Sequence, residues 1–272
     1  MLACQELNFS FEEIGLLPYP IPNGKVRRAT IEKLVDTARK RTNKLCRVVN
    51  AILKINRLGM QWRNLEEKPY FYPPWQSVYY YFRKWQKEGV WGSILAFLVG
   101  RERIRQGRNR QPSAVAIDSQ SVKKGSLICL DTGIDGNKNV NGGKRHVVVD
   151  TLGLPLALPV SAANKHDGQE GIELLWQLEQ ASARLELIRA DHAYQGYFAD
   201  CSDYYNWKVE ITQKPESAQG FVPQMGRWQV ERSFAWFNFF RRLSKDYEKT
   251  TESSVAFMQL AFIDILLARN PR

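Results

Sequence analysis

Cysteine and histidine are scarce in this chain. Its 272 residues include 4 cysteines and 3 histidines. The cysteines, Cys4, Cys46, Cys129 and Cys201, lie far apart and form no CxxC pair. A disulfide-stabilised fold and a clustered zinc site are therefore not expected, and reduced thiols in a cytosolic protein are the simpler interpretation. The same scarcity leaves no Cys/His or Ser/His constellation that would indicate a protein nucleophile.

Long hydrophobic runs and a secretion signal are also missing. No uninterrupted apolar stretch reaches the roughly 20 residues that cross a bilayer. The first residues, Met-Leu-Ala-Cys-Gln-Glu, have neither a basic segment nor a long apolar one, so we do not expect export. A hydrophobic content of 44% with 25% charged residues is ordinary for a globular protein. The sequence therefore predicts a cytoplasmic protein without a membrane partner, built as one large domain or as a core with a smaller module.

Positive charge is abundant, but it is concentrated in one part of the chain. Residues 1–112 hold 21 Lys and Arg against 9 Asp and Glu, a net charge of +12, and residues 113–272 hold 18 against 19, a net charge of −1. This asymmetry indicates a polyanion-binding segment joined to a nearly neutral body, and nucleic acid is the usual polyanion. A solvated basic face without a partner is the alternative.

The basic segment has the patterns of a small helical bundle. An apolar stripe at helical spacing begins after Thr30, which is a suitable cap, and Gly59 is a plausible end of that pattern. Residues 75–87 form a helical pattern between two prolines and Gly89. A third helical pattern begins near Trp91 and runs into an arginine-rich stretch. We therefore predict a helix-turn-helix-like DNA-binding domain over residues 1–112.

The helix over 75–87 is the candidate recognition helix of this domain. Its aromatic residues Trp75, Phe82 and Trp85 recur at helical spacing, which is more often typical of a core than of base contacts. Its basic residues are the better candidates for contacts with DNA: Arg83, Lys84 and Lys87.

After a polar linker that ends at Pro112, the patterns change to those of strands. Apolar runs at 114–122, 145–151, 156–162, 185–190 and 208–213 predict strands, and helical patterns cover 168–183, 196–206, about 226–246 and about 251–268. The order β-β-β-α-β-α-β-α predicts an α/β domain over residues 113–272. It is the order of an RNase H-like fold, with a mixed five-stranded sheet and flanking helices.

Three acidic residues occupy the positions that a metal site in such a fold requires. Asp118 and Asp191 each follow an apolar strand pattern, and Glu231 lies in the helical pattern after the last strand. Carboxylate oxygens are the ligands that Mg²⁺ prefers, and two such ions can clamp the attacking and leaving oxygens of a phosphoryl transfer. Acids at strand ends are also common without any function. The three placements together nevertheless favour a catalytic site.

Several segments of the chain resemble the IS5-type insertion-sequence transposases of the IS4/IS5 DDE superfamily. The resemblance spans roughly residues 45–268, and its clearest blocks are Ala116-Ile-Asp-Ser-Gln-Ser-Val-Lys, Lys144-Arg-His-Val-Val-Val-Asp-Thr-Leu-Gly, Ala190-Asp-His-Ala-Tyr and Arg227-Trp-Gln-Val-Glu-Arg-Ser-Phe-Ala-Trp. Two positions depart from the wider superfamily, which has a Tyr at the position of Gln224 and a basic residue at that of Asn238. A large insertion before the glutamate is absent as well, because only 40 positions separate Asp191 from Glu231.

The resemblance implies a DDE transposase with Asp118, Asp191 and Glu231 as its triad. It implies two Mg²⁺ ions, with Mn²⁺ as a possible substitute. It also implies double-stranded DNA partners, namely the terminal inverted repeats and the target, bound by a homodimer associated with the bacterial nucleoid. An RNase H-like nuclease without strand transfer, or a non-catalytic DNA-binding regulator derived from a transposase, are the alternatives.

Other polar residues are candidates for supporting roles. Arg227 precedes Glu231 by one helical turn and is expected either to contact phosphate or to pair with that carboxylate. Four basic residues are candidates for contacts along the DNA path: Lys123, Lys144, Arg145 and Arg227. The histidines at 146, 166 and 192 are possible metal-shell or phosphate contacts, with ordinary structural roles as the alternative.

Overall fold

A computed structural model describes residues 45–67, 72–125, 130–212 and 227–269. The predicted helix start at Thr30 and the departure at Gln224 lie outside these residues. Two compact units divide the chain. The first comprises Met1–Leu98, Phe240–Leu243 and Ala256–Arg272, and the second comprises Val99–Phe239 and Ser244–Val255. The predicted division of function at residue 112 stays a prediction.

The described residues of the first unit are mainly helical. Helix α1 is described over residues 45–58, and a 3-10 turn follows at Trp62–Glu67. Helix α2 spans Trp75–Lys87 and α3 begins at Val90. Gly59 ends α1 with a φ of 66° and donates its N–H to the Ile55 carbonyl oxygen over 2.9 Å, as expected of a glycine after a helix. The predicted helix end and the predicted helix at 75–87 are confirmed.

An aromatic cluster forms the core of this unit. The rings of Phe82 and Phe257 stack at 4.9 Å, and Trp62 lies 5.1 Å from Phe82. Phe82 and Trp85 are buried, so the prediction that they belong to the core is confirmed. Trp75 is half-buried beneath the guanidinium group of Arg63, 5.6 Å from its ring.

The last helix of the chain, Thr251–Arg269, is very apolar; in chain order it is α7. Within the described residues it alone is long and apolar enough to span a membrane, a property that inspection of uninterrupted apolar runs did not reveal. However, 61% of its apolar window is buried inside the protein, as in the core helix of a globular fold. Asn56 donates to the backbone oxygen of Phe257 over 3.0 Å, and Arg57 pairs with Asp264 over 2.8 Å.

The second unit is built on a seven-stranded mixed sheet. Its strands are β1 Ala114–Lys123, β2 Gly133–Asp135, β3 Val140–Asp150, β4 Pro155–Ala157, β5 Val160–Ala162, β6 Leu187–Ala190 and β7 Lys208–Ile211. The main path runs β2-β3-β1-β6-β7, and the short strands β4 and β5 both pair with β3. Its helices are α4 Asp167–Ala181, α5 Tyr197–Asp203 and α6 Trp228–Phe237, together with the end of α3 at Arg105.

Strand directions divide the sheet into two parts. β3 pairs antiparallel with both β1 and β2, whereas β6 pairs parallel with β1 and β7. Parallel neighbours need a crossover, and α4 and α5 precede β6 and β7 as their crossover helices. This mixed α/β arrangement confirms the predicted RNase H-like fold. The sheet has seven strands and not the predicted five within the described residues, because the short strands β4 and β5 both pair with β3.

Two segments differ from the sequence-based predictions. The stretch 131–143, for which the sequence patterns predicted no strand, contains β2 and the start of β3. Asp135 stabilises their turn by accepting from the N–H groups of Asn137 and Lys138. The long helix predicted at 226–246 is wrong, because α6 ends at Phe237 and a 3-10 turn covers Arg241–Leu243. A 3-10 turn repeats every three residues, so apolar side chains continue at a spacing that resembles one longer helix.

The core of the second unit lies between the sheet and its crossover helices. It joins Val115, Ile117 and Ile188 of the central strands to Leu174 and Leu178 of α4. Burial of such side chains contributes about 1.5–3 kcal/mol each. Apolar residues therefore anchor β1 immediately before Asp118 and β6 immediately before Asp191.

Candidate active site

Asp118 and Asp191 lie at the same level on neighbouring parallel strands. β1 and β6 pair in the register Ala116 to Arg189, so the residue two positions further along each strand is an aspartate. Neighbouring strands are about 4.8 Å apart. The sheet therefore brings together two acids that are 73 positions apart in sequence.

One carboxylate oxygen of Asp118 accepts a hydrogen bond from a guanidinium group. Arg227, which directly precedes α6, donates from Nη2 to Oδ2 of Asp118 over 2.8 Å, while Oδ1 accepts the N–H of Ser119 over 2.7 Å. Of the two roles predicted for Arg227, pairing with a carboxylate is observed, although the partner is Asp118 and not Glu231.

The Asp118 carboxyl is electrostatically unusual. Its side chain is 17% exposed. Burial raises its pKa above the ordinary value, the charge of Arg227 opposes that rise, and the negative charge of Asp191 adds to it. A buried carboxylate near a second carboxylate favours any cation that enters between them.

Asp191 organises the turn that follows β6. Its Oδ1 accepts the N–H of Ala193 over 3.0 Å and caps the 3-10 turn His192–Tyr194. The short side chain of aspartate suits such a cap because it reaches a backbone donor two residues on. This turn fixes Tyr194 three residues after the acid.

Glu231 is presented by α6, which packs against β1 and β3. The helix is anchored on the turn between β3 and β4, where Arg232 donates to the Leu152 carbonyl oxygen over 2.7 Å and Ser233 donates to that of Gly153 over 3.2 Å. The guanidinium group of Arg232 also stacks between the rings of Trp228 and Trp236, at 4.5 and 4.9 Å. These contacts hold a half-exposed Glu231 on the helix beside the strand that carries Asp118.

The donor chemistry of this region fits a hard divalent cation. The carboxylates of Asp118 and Asp191 lie at the same level on neighbouring strands, and Asp118 already pairs with the guanidinium group of Arg227. In the arrangement described, no cluster of three or more Asp, Glu, His or Cys side chains within the described residues is close enough to hold an ion. The Asp118–Arg227 ion pair accounts for part of this, because it directs one carboxylate oxygen to a guanidinium group. Coordination by all three acids therefore requires side-chain rearrangement.

The predicted DNA contacts Lys144 and Arg145 are buried, with 7% and 2% of each residue exposed. Lys144 pairs with Asp167 over 2.8 Å and donates to the Lys165 carbonyl oxygen over 2.7 Å. Arg145 donates to the Lys245 carbonyl oxygen, and burial lowers its pKa to about 10 while Asp246 opposes the shift. Both side chains serve the interior of the unit in this arrangement, and a role in DNA binding stays a prediction for them.

The other basic candidates are more accessible. Lys87 at the end of α2 and Lys123 at the end of β1 are exposed, whereas Arg83 and Lys84 are half-buried. Arg83 donates to Oε1 of Gln86 over 2.8 Å. Helix α2 also exposes Tyr79 and Tyr80. The spacing of aromatic residues in the sequence did not distinguish these two from the buried aromatic residues of the helix.

The three histidines occupy different environments. His166 and His192 are exposed, and Nδ1 of His166 accepts the N–H of Gly168 as the cap of α4. His146 is buried, with Nε2 3.0 Å from the Ser161 hydroxyl. Burial lowers the pKa of His146 from 6.5 to about 4, with Asp167 opposing the shift and Lys144 adding to it.

Replacing His146 with Gln is expected to flatten the fall of stability in acid. The folded protein keeps His146 neutral between pH 6.5 and about 4, where the unfolded chain protonates it. Its contribution is therefore full above pH 6.5 and is lost as the pH falls towards 4, at up to about 1.4 kcal/mol per pH unit. Urea unfolding at a series of pH values would measure the difference between wild type and variant. Parallel curves for wild type and His146→Gln would contradict the expectation.

Two polar residues near the acids were missed by sequence reasoning. Tyr194 is completely buried, and its pKa is raised well above the usual value by burial, then by the charges of Asp167, Asp118 and Asp191. Asp167 starts α4 and pairs with Lys144. The position of Tyr194 three residues after Asp191 was visible in the sequence, but its burial beside the acids depends on the packing of α4 and α5.

Comparisons with known proteins agree with this fold and identify the family of the chain. Residues 109–264 match the family described as "Transposase DDE domain", and residues 28–95 match "Putative transposase of IS4/5 family". Because the first match covers more than half of the chain, the protein belongs to the DDE transposase family, in its IS4/IS5 group.

A curated relative points the same way. The chain is 29% identical over 128 residues to "Putative transposase for insertion sequence element IS402" from Burkholderia cepacia. The match covers 44% of this chain and 60% of the relative, so the chain spans less than two thirds of that protein. No solved structure matches the chain.

Proposed function

We propose that this protein moves an insertion sequence by cutting DNA at the ends of the element and joining those ends to a target. Asp118, Asp191 and Glu231 are its catalytic residues and hold two Mg²⁺ ions, which Mn²⁺ can replace. The observation that supports this most strongly is the register of β1 and β6, which aligns Asp118 with Asp191. The family match over residues 109–264 supports the reaction class.

The acids have separate roles in this proposal. Asp118, on the central strand β1, would serve both ions. Asp191, from a strand end, and Glu231, from a helix, would each serve one. When bound, the ions lower the pKa of a water nucleophile and stabilise the leaving 3′-oxygen. No protein nucleophile is required, which agrees with the composition of the chain.

Arg227 has two successive partners in this proposal. It neutralises Asp118 while the acids are free of metal, since it pairs with Oδ2 over 2.8 Å. Its position at the start of α6 places it beside the same acids, where the guanidinium fork suits a phosphate of the scissile strand. It is thus a candidate for both charge balance and DNA positioning.

DNA binding is assigned mainly to the basic segment 1–112. Its net charge of +12 suits duplex DNA, both the terminal inverted repeats and the target. Lys123, which is exposed at the end of β1, is a further candidate for a contact with DNA. We propose that the protein acts as a homodimer on DNA in the bacterial cytoplasm, close to the nucleoid.

Two substrates distinguish the proposed activity from its alternatives. The first is duplex DNA carrying the ends of the element, and the second carries an end that is already cleaved to a free 3′-OH. A transposase cuts the first in Mg²⁺ and joins the second to target DNA. Cutting without joining would identify a nuclease, and binding without either reaction would identify a regulator. Activity that survives chelation of divalent ions would contradict the proposed site.

Replacing Lys84 and Lys87 with Ala in the full chain is expected to weaken binding to the ends of the element. Phosphate contacts give a salt dependence of about 0.9 in slope for each phosphate neutralised, so losing two contacts should reduce the slope by about 2. A salt titration of binding measures this directly.

The matched control for this pair is Lys208→Ala, on β7, whose side chain is 74% exposed. It removes one accessible charge from the catalytic unit and should leave the salt slope unchanged. An unchanged slope in the double variant, or an equal decrease in the control, would contradict a DNA contact through α2.

A further inference from the structure

Tyr194 is a buried tyrosine whose hydroxyl group has no hydrogen-bond partner within the part of the chain that the structure describes. None of its surface is exposed. A buried polar group without a partner is unfavourable, and native proteins seldom keep one without a reason. The environment of this hydroxyl is therefore informative.

The ring of Tyr194 is tightly confined. It packs edge-on against Phe198 at a centroid distance of 5.2 Å. Gly171 of α4 lies against both rings, since a Cβ added there would come 2.8 Å from Phe198 and 3.0 Å from Cε1 of Tyr194. The Asp191-capped turn fixes its backbone. The direction of the hydroxyl is consequently set by the fold.

Three groups of the proposed active site act electrostatically on this hydroxyl. Burial is the main cause that raises the pKa of Tyr194, the negative charges of Asp167, Asp118 and Asp191 add to the rise, and Arg227 opposes it. A protonated phenol forms a favourable hydrogen bond with an ionised carboxylate by donating its hydroxyl hydrogen, because the carboxylate can only accept. Asp167 pairs with Lys144 and is not one of the proposed metal ligands, whereas Asp118 and Asp191 are expected to reorient around a cation, so these two acids are the candidate acceptors.

We propose that Tyr194 is a positioning residue for the Asp118–Asp191 pair, donating its hydroxyl hydrogen to one of these carboxylates when a divalent cation draws them together. The inference rests on the proposed function. At present Oδ2 of Asp118 is paired with Arg227, and Oδ1 of Asp191 accepts the Ala193 N–H. Reorientation of the carboxylates towards a shared cation gives the buried donor its acceptor. The hydroxyl then holds the ligand oxygen in place without touching the DNA.

The test is a single change, Tyr194→Phe, which removes the hydroxyl and keeps the ring. Hydrogen-bonding partners of metal ligands typically contribute 10–100-fold to metal affinity. Titration of Mn²⁺ into the DNA-free full chain, followed by the paramagnetic resonance signal of free Mn²⁺, should therefore give an affinity at least about tenfold lower than wild type. The melting temperature without metal should be unchanged or slightly higher, because no existing hydrogen bond is removed.

Two further variants make the result specific. Tyr205→Phe is the matched control, since Tyr205 stacks on Trp207 at 4.6 Å in the same unit; it should bind Mn²⁺ like the wild type. Asp118→Asn tests the site itself. If it binds Mn²⁺ normally, the proposed metal site is wrong. If it loses Mn²⁺ while Tyr194→Phe does not, only the role of Tyr194 is wrong. A lower melting temperature of metal-free Tyr194→Phe would also overturn that role, because it would indicate a structural function.

Discussion

Replacing Asp118 with Asn is expected to reduce Mg²⁺-dependent DNA cleavage by at least about 100-fold, the scale on which loss of one key electrostatic stabiliser acts. Asparagine keeps the shape of the side chain and removes the charge that binds the cation. The Asp191→Asn and Glu231→Gln changes should have effects of the same size. Cleavage of labelled end DNA under single-turnover conditions would measure all three.

Binding of the same DNA should be nearly unchanged in these variants, because the basic segment that supplies most of the charge is intact. Glu173→Gln is a suitable control, since Glu173 is an exposed acid on α4. It should cleave like the wild type. Normal cleavage by the Glu231→Gln variant would remove that residue from the site and leave the two aspartates to be paired with another ligand.

Replacing Arg103 with Met is expected to destabilise the folded protein by about 3–5 kcal/mol, the range measured when one partner of a buried ion pair is removed. Arg103 on α3 and Asp150 at the end of β3 are 5% and 1% exposed and form an ion pair. Asp150 also accepts the N–H groups of Leu152 and Leu154, so its carboxylate holds the turn that anchors α6. Urea unfolding at neutral pH would measure the loss.

The same helix provides the matched control. Arg105 lies two residues further on, with a side chain that is 47% exposed and paired with Glu102. Arg105→Met should leave the unfolding midpoint nearly unchanged. Burial raises the pKa of Asp150 even beside Arg103, so in Arg103→Met the loss should shrink as the pH falls and the carboxyl becomes protonated. Equal effects of the two changes would contradict a buried ion pair.

The position of the two aspartates could be read from the sequence because strand burial leaves a local signal. Apolar runs that end in an acid lie at 114–118 and 185–191. Asp191 directly follows the end of β6, whereas β1 continues past Asp118 to Lys123. Parallel pairing of those runs then follows from the order of strands and helices. The recurrence of apolar residues at helical spacing also predicted the helices α2 and α4 within a few residues.

Other features of the site depend on partners that are distant in sequence. Lys144 and Arg145 look like surface charges in a strand, and their burial follows from Asp167 and from the segment near Asp246. The pair of Arg227 with Asp118 joins residues 109 positions apart. No local pattern reports such pairs. The same holds for Tyr194, whose sequence position was plain but whose enclosure needs Gly171 and Phe198.

The alignment of β1 with β6 also determines where the sequence can tolerate inserted residues. Side chains alternate across a strand, so one residue inserted between Ala114 and Asp118 would turn the carboxylate to the opposite face of the sheet. Residues added to the turn between β2 and β3, or to the connection before α4, leave that alignment intact. Related chains can therefore vary widely in those connections and retain the acid pair, whereas each strand that leads to an aspartate must keep its residue count.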